Sequence, residues 1–135
     1  MNDCLFCKII AGEIPSEKIY ENEHVYAFLD INPVNPGHTL VIPKRHAANL
    51  YETPDEDLAQ AISAVKRLSV AVKRALAADG INIEMNNDPV AGQVIFHTHF
   101  HVIPRFEGDG RELWKGKACE EKQWKETAEK IRAVL

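Results

Sequence analysis

His97-Thr98-His99-Phe100-His101-Val102-Ile103 sets three histidines on alternate positions, with Thr, Phe and Val between and after them. The longer stretch 93–103 is rich in β-branched and aromatic residues and holds no Pro or Gly, so it reads as a strand. Side chains alternate faces along a strand, which puts all three imidazoles in a row on one side. An imidazole pKa near ~6.5 suits such a row to moving protons or attacking phosphorus at neutral pH. Two chemistries fit it. Three imidazoles can hold zinc with an open position, or a middle histidine can act as nucleophile while its neighbours orient it.

The chain around the row favours an anion. Asp88-Pro89-Val90-Ala91-Gly92 is a tight loop, and Gly92-Gln93 lets backbone N–H groups and an amide approach a charged oxygen closely. Asn86 adds a donor opposite. Arg105 follows the row and Lys44-Arg45 follow another strand; each reads equally as a phosphate contact or as ordinary surface charge. A phosphate fits these neighbours better than a bare hydrolytic zinc. The usual phosphate-cradling signatures, GxGxxG and the Walker loop, are absent.

At 135 residues and a net charge of −4, the chain is expected to form one domain over 1–135. The charge argues against a nucleic-acid backbone as the main partner, while a small nucleotide held by local groups stays open. No run approaches the ~20 apolar residues of a membrane span. Lys8 interrupts the short apolar stretch near the start, which argues against a signal peptide. Three cysteines disfavour a disulfide framework and point to the cytoplasm.

Asp3 reads as the cap of a short helix through Leu5, Phe6, Ile9 and Ile10 that ends at Gly12. Residues 18–20 and 24–29 read as a hairpin, 38–43 as a strand apolar on both faces, and 81–87 as a further strand. Thr53-Pro54-Asp55-Glu56 reads as a helix start, with Thr53 the cap and Glu56 closing a capping box. Leu58, Ile62, Val65, Leu68, Val72 and Leu76 then keep one face apolar until Asp79-Gly80. A charged tail leads to a short helix over about 120–134, with Trp124, Ala128, Ile131 and Leu135 at helical spacing. Runs of strands around one long helix predict an α+β fold: an antiparallel sheet of about five strands with one long and one or two short helices.

The histidine row matches the His-φ-His-φ-His-φ-φ signature of the histidine triad (HIT) family, with Thr98 in an apolar slot. Phe6-Cys7-Lys8-Ile9-Ile10, Glu13-Ile14-Pro15, Ala27-Phe28-Leu29-Asp30-Ile31, Gly37-His38-Thr39-Leu40-Val41-Ile42-Pro43-Lys44 and Ala91-Gly92-Gln93 follow in the family's order. The chain therefore resembles that family from residue 4 to about 105. The resemblance implies a HIT-like fold and a nucleotide-binding hydrolase or transferase. Such an enzyme cleaves the α-phosphate linkage of purine nucleotide conjugates, either dinucleoside polyphosphates or nucleoside phosphoramidates, and leaves an AMP-type product. His99 would be the nucleophile of a covalent nucleotidyl-histidine, His101 a phosphate contact and His38 its support. Asn86 and Gln93 would hold phosphate oxygens beside Gly92 and Val94. Phe6, Ile9, Phe28 and Leu40 would wall the base, though each also reads as plain core. Asp30 would take the ribose hydroxyls or serve as a turn residue. A homodimer built on the long helix and the strand after it is also implied.

A lone Cys-x-x-Cys such as Cys4 and Cys7 leaves redox, metal and accident open. The resemblance implies a structural Zn2+ held by Cys4, Cys7, His46 and His97, a closed tetrahedral set without a catalytic opening. His97 is then a ligand, and His99 and His101 are the catalytic pair. The resemblance breaks at Val94, where many members carry a Ser or Thr thought to assist the leaving group. The chain is therefore expected to favour leaving groups that need little protonation.

Overall fold

The computed structural model describes residues 3–135; Met1 and Asn2, at the start of the expected domain, lie outside them. Five strands, β1 (Lys18–Glu21), β2 (Val25–Leu29), β3 (Thr39–Pro43), β4 (Gly80–Glu84) and β5 (Phe100–Arg105), form one antiparallel sheet in the order β1-β2-β3-β5-β4. Three α-helices, α1 (Leu5–Ile10), α2 (Asp55–Ala75) and α3 (Glu121–Arg132), complete the α+β architecture. Period-two alternation sorts the strand side chains onto two buried faces. Val25, Ala27, Val41, Phe100 and Val102 pack beneath Ala61, Ala64, Val65, Leu68 and Val72 of α2. Tyr26, Phe28, Leu40 and Ile42 face the other way, where Phe6 and Ile9 of α1 cover them. That double burial explains why residues 38–43 carry apolar side chains without a polar face.

The structure corrects the reading of 93–103 as one strand: β5 begins only at Phe100. Its pairing with β3 runs Thr39 with Val102, Leu40 with His101 and Val41 with Phe100. Continued by two residues, that register would set Thr98 opposite Pro43, which has no N–H to give the ladder. The Pro43 carbonyl instead accepts from His97 Nε2 at 2.7 Å, and the Thr98 N–H goes to Ala47 O at 2.9 Å.

The helix ends also differ. Cys4, not Asp3, caps α1, its Sγ accepting from Cys7 N–H at 3.4 Å. Pro54 takes the cap position of α2 and no capping box forms. Thr53 turns inward instead, donating to Asn49 O at 2.7 Å and meeting Thr98 Oγ1 at 2.6 Å. α2 ends at Ala75, and the chain turns away through Ala77 in the left-handed region (φ 51°), so Gly80 already belongs to β4. Ile62 and Leu76 remain exposed because alanines at 61 and 64 occupy the face against the sheet. α3 forms where expected but buries none of its residues.

Candidate active site and metal centre

On the α1 side of the sheet, Phe6, Ile9, Ile14, Phe28, Leu40 and Ile95 wall a cavity of about 460 Å³, within the range that accepts small ligands. Its polar lining consists of Ser16, Asp30, Asn32, Asn86, His99 and His101, with Gly92 and Val94 on the rim. The expected site residues thus converge, apart from His38, which stands behind His101, and Gln93. Phe6 meets His99 edge-on, ring centroids 5.1 Å apart, and Phe28 at 5.5 Å. One Asp30 oxygen closes a local turn by accepting from Asn32 N–H at 2.8 Å; the other lies 3.6 Å from His38 Nε2. Ile14 and Ile95 line the cavity without having been assigned to it. Ile95 was detectable, since it alternates in phase with His97, His99 and His101.

Hydrogen-bond partners assign the tautomers of the row. The Val34 N–H donates to His38 Nδ1 at 3.0 Å, so neutral His38 carries its proton on Nε2. That proton points to His101 Nδ1 at 2.8 Å, which puts the His101 proton on Nε2. His99 Nδ1–H donates to the His97 carbonyl at 2.6 Å, leaving its Nε2 as a free base. Burial dominates the electrostatics: it lowers the pKa of His99 and His38, and with the neighbouring imidazoles takes His101 down to about 4. All three rings are therefore neutral near pH 7, as nucleophilic attack requires.

The depressed His101 value has a consequence for stability. The folded state releases that proton more readily than the unfolded chain, whose histidine titrates near ~6.5. The associated stability is present above ~6.5 and drains away as pH falls towards the folded value of about 4. His101→Asn is expected to flatten the loss of melting temperature between pH 6.5 and 4, measured by calorimetry; an unchanged slope would rule this out.

Asp30, His38 and His101 also cluster closely enough to suggest a cation. The 2.8 Å between the two imidazole nitrogens is a hydrogen bond, shorter than the ~3.3 Å that separates two nitrogens on one tetrahedral zinc. The second cluster behaves differently. Cys4 Sγ lies 3.5 Å from His97 Nδ1, Cys7 Sγ 3.4 Å from His46 Nδ1 and 3.6 Å from His97 Nδ1, and the two Nδ1 atoms stand 3.3 Å apart. Bonds of about 2.05 Å to nitrogen and 2.3 Å to sulfur give tetrahedral edges of about 3.3 Å and 3.6 Å. These four residues can hold a metal ion in a closed set. The Pro43 carbonyl takes His97 Nε2–H and turns its Nδ1 lone pair towards the thiols, an outer contact typical of a ligating histidine. Burial, together with Cys4, pushes the Cys7 thiol up to about 11, so a cation must supply what holds it as thiolate.

The residues considered as phosphate contacts have partners within the protein. Gln93 is buried and its amide hydrogens go to Ala48 O at 2.6 Å and Ile95 O at 3.1 Å, leaving none for a ligand. The Gly92 and Gln93 N–H groups are held by Pro89 O and Asp88 O within the turn itself. Gly92 sits at φ 98°, a backbone conformation that residues with a Cβ rarely adopt, so the turn favours glycine there. Lys44 pairs with Glu21, Arg45 with Glu56 and Asp57, and Arg105 with Asp109. None of these three cations lines the cavity. They are ion pairs within the protein, two of them to the largely buried carboxylates of Asp57 and Asp109.

Comparison with known proteins agrees with the geometry. The profile of the HIT domain matches residues 11–108. An uncharacterised HIT-like protein of Methanocaldococcus jannaschii is 58% identical over 107 residues, 79% of this chain and 82% of its own. The adenylylsulfatase HINT3 of Arabidopsis thaliana is 48% identical over 117 residues, 87% of this chain and 58% of its own. The crystal structure of a histidine triad nucleotide-binding protein from Candida albicans superposes with a TM-score of 0.88 at 37% identity, covering 98% of this chain and 97% of its own. A zinc-bound histidine triad protein from Mycobacterium smegmatis gives 0.79 at 36% identity, covering 99% of both chains. With the matched region taking in the whole histidine row, the chain belongs to the HIT family.

Proposed function

We propose that this protein is a nucleotide hydrolase that cleaves the α-phosphate linkage of purine nucleotide conjugates through a covalent nucleotidyl-His99. The observation that carries it is the free Nε2 of His99, fixed by the 2.6 Å bond from Nδ1 to the His97 carbonyl, in a cavity with apolar walls. Nε2 attacks the α-phosphorus, and the leaving group departs with the bonding electron pair. Water then attacks the same phosphorus, releases the nucleoside monophosphate and returns neutral His99. Inorganic phosphate in place of water would make the same intermediate a transferase. Donors from His101 Nε2 and the Asn86 amide stand where charge develops on the phosphoryl oxygens. Phe6, Ile9, Phe28 and Leu40 hold the base, and Asp30 the ribose. Mass-spectrometric detection of a nucleotidyl adduct on mixing with adenosine phosphoramidate or a diadenosine polyphosphate tests this reading. Binding of AMP without adduct or turnover would instead support a nucleotide-binding protein.

Val94 sharpens the substrate class. It stands on the cavity rim, exposed, with no hydroxyl to protonate a departing group. A relative named an adenylylsulfatase releases sulfate, which needs no proton to leave, and its likeness supports anionic leaving groups such as phosphates here. Val94→Ser is expected to raise turnover of adenosine phosphoramidate relative to a diadenosine polyphosphate by ~10-fold or more. An unchanged ratio would remove Val94 from the specificity argument.

Zinc is the proposed occupant of the Cys4, Cys7, His46 and His97 cluster, supported by the edge lengths and by the zinc-bound relative. Its role there is structural: it holds α1, the 44–48 loop and His97 together. A homodimer is supported by the open edge of β4 and by Ile62, Val70 and Ile83, apolar and exposed on α2 and β4. Light scattering is expected to return twice the 15.2 kDa chain mass, and a monomer would exclude the dimer. Among the described residues no helix is long and apolar enough to cross a membrane, and all three cysteines are free. A cytoplasmic protein fits both facts.

A further inference from the structure

The backbone that presents the nucleophile is not held by the sheet. β5 starts at Phe100, so residues 97–99 lie outside the ladder, yet His99 depends on the His97 carbonyl for its tautomer. Thr98 fills that gap. Its side chain is almost completely buried (1% exposed) and reaches Thr53, just before the start of α2. Its Oγ1 meets Thr53 Oγ1 at 2.6 Å and its N–H donates to Ala47 O at 2.9 Å. The same loop is tied again by Gln93 Nε2 to Ala48 O, and Arg45 anchors it at 3.2 Å to the buried carboxylate of Asp57 in the first turn of α2.

We infer that Thr98, through its buried hydroxyl contact with Thr53, is a positioning residue that orients the His97 carbonyl and thereby His99. This rests on reading His99 as the nucleophile. An aliphatic residue of the same size would fill the slot equally well, so packing alone does not call for a hydroxyl there. The hydroxyl pair joins the unpaired segment to Thr53, the residue just before the cap of α2, whose body β5 reaches through Phe100 and Val102. Thr53 retains Asn49 O as an acceptor at 2.7 Å, so Thr98→Val leaves no orphaned hydroxyl and keeps the β-branched shape.

The test compares wild type, Thr98→Val and Thr98→Ser in single-turnover adduct formation at saturating diadenosine polyphosphate. AMP affinity, metal content and the NMR signal of the His99 Nδ1 proton are measured beside it. Thr98→Val is expected to slow adduct formation at least tenfold while AMP affinity stays within about twofold and metal content is unchanged. The Nδ1 proton should exchange faster with solvent, and Thr98→Ser should restore both rate and signal. Wild-type rate in Thr98→Val, failure of Thr98→Ser to rescue, or loss of metal in step with rate would each overturn the inference. Absence of an adduct in wild type would instead sink the nucleophile assignment, while the exchange of the Nδ1 proton would still report whether Thr98 positions the ring.

Discussion

His99→Ala is expected to abolish the covalent adduct and to lower kcat/KM by on the order of 10⁴–10⁶-fold, about 5–8 kcal/mol of transition-state stabilisation. The size follows from the site's economy of polar groups. Among the cavity-lining residues, His99 and His101 are the imidazoles, and the Nδ1 of His101 is already occupied by His38. Only His99 presents a free basic nitrogen, so its removal deletes the bond-forming atom instead of weakening one contact among many. AMP affinity should change by no more than a few fold, because the base rests on Phe6, Ile9, Phe28 and Leu40. The fold should persist, since the side chain faces the cavity and its loss removes edge contacts with Phe6 and His101 and one hydrogen bond to the His97 carbonyl. Mass spectrometry of wild type and variant after mixing with substrate decides the matter. An adduct on the variant, at His101 or elsewhere, would move the nucleophile; equal turnover without any adduct would replace covalent catalysis by direct attack of water.

Stripping the metal is expected to lower the melting temperature by on the order of 10–20 °C. A ligand at about 1,000 times its dissociation constant stabilises by about 4 kcal/mol, and a chain of this size loses roughly 3–5 °C per kcal/mol. The four donors come from three separate stretches: Cys4 and Cys7 at the start of α1, His46 after β3, and His97 before β5. Without a cation only long contacts of 3.3–3.6 Å between the imidazoles and thiols join those stretches across the cluster. The Cys4→Ser, Cys7→Ser double variant should reproduce the chelated protein, because hydroxyls are poor substitutes for thiolates on zinc. Elemental analysis and calorimetry before and after chelation provide the test. Purified protein with well under one metal per chain and a melting temperature indifferent to chelator would remove the structural role. Since Phe6 and Ile9 of α1 wall the cavity, AMP affinity should weaken together with stability.

Much of this site could be read in the sequence because its chemistry sits in short local words. The row His97–His99–His101 needs only period-two alternation to share a face, and Gly92 next to Gln93 announces a turn. Strand 39–43 declares itself by apolar residues without a polar face. Where the sequence left a role open or pointed elsewhere, a distant partner decides. Lys44, Arg45 and Arg105 carry charges suited to phosphate, but Glu21, Asp57 and Asp109 neutralise them, and none of those partners is apparent from spacing. Gln93 looks like a ligand donor until the 48 carbonyl is brought beside it. Thr53 looks like a cap until Thr98 arrives from 45 residues away.

By itself the sequence determined the α+β class and most of the elements, which local periodicity settles; the residues expected at the cavity and the four donors expected at the metal cluster came from its resemblance to the HIT family. Only the tertiary structure decided where the histidine strand begins, because that depends on Pro43 of a neighbouring strand withholding an N–H. It also decided which nitrogen of each imidazole is free. A histidine's tautomer is set by the acceptor or donor placed against its other nitrogen, and those partners, His97 O, Val34 N–H and Pro43 O, take their places only when the sheet and its loops have closed.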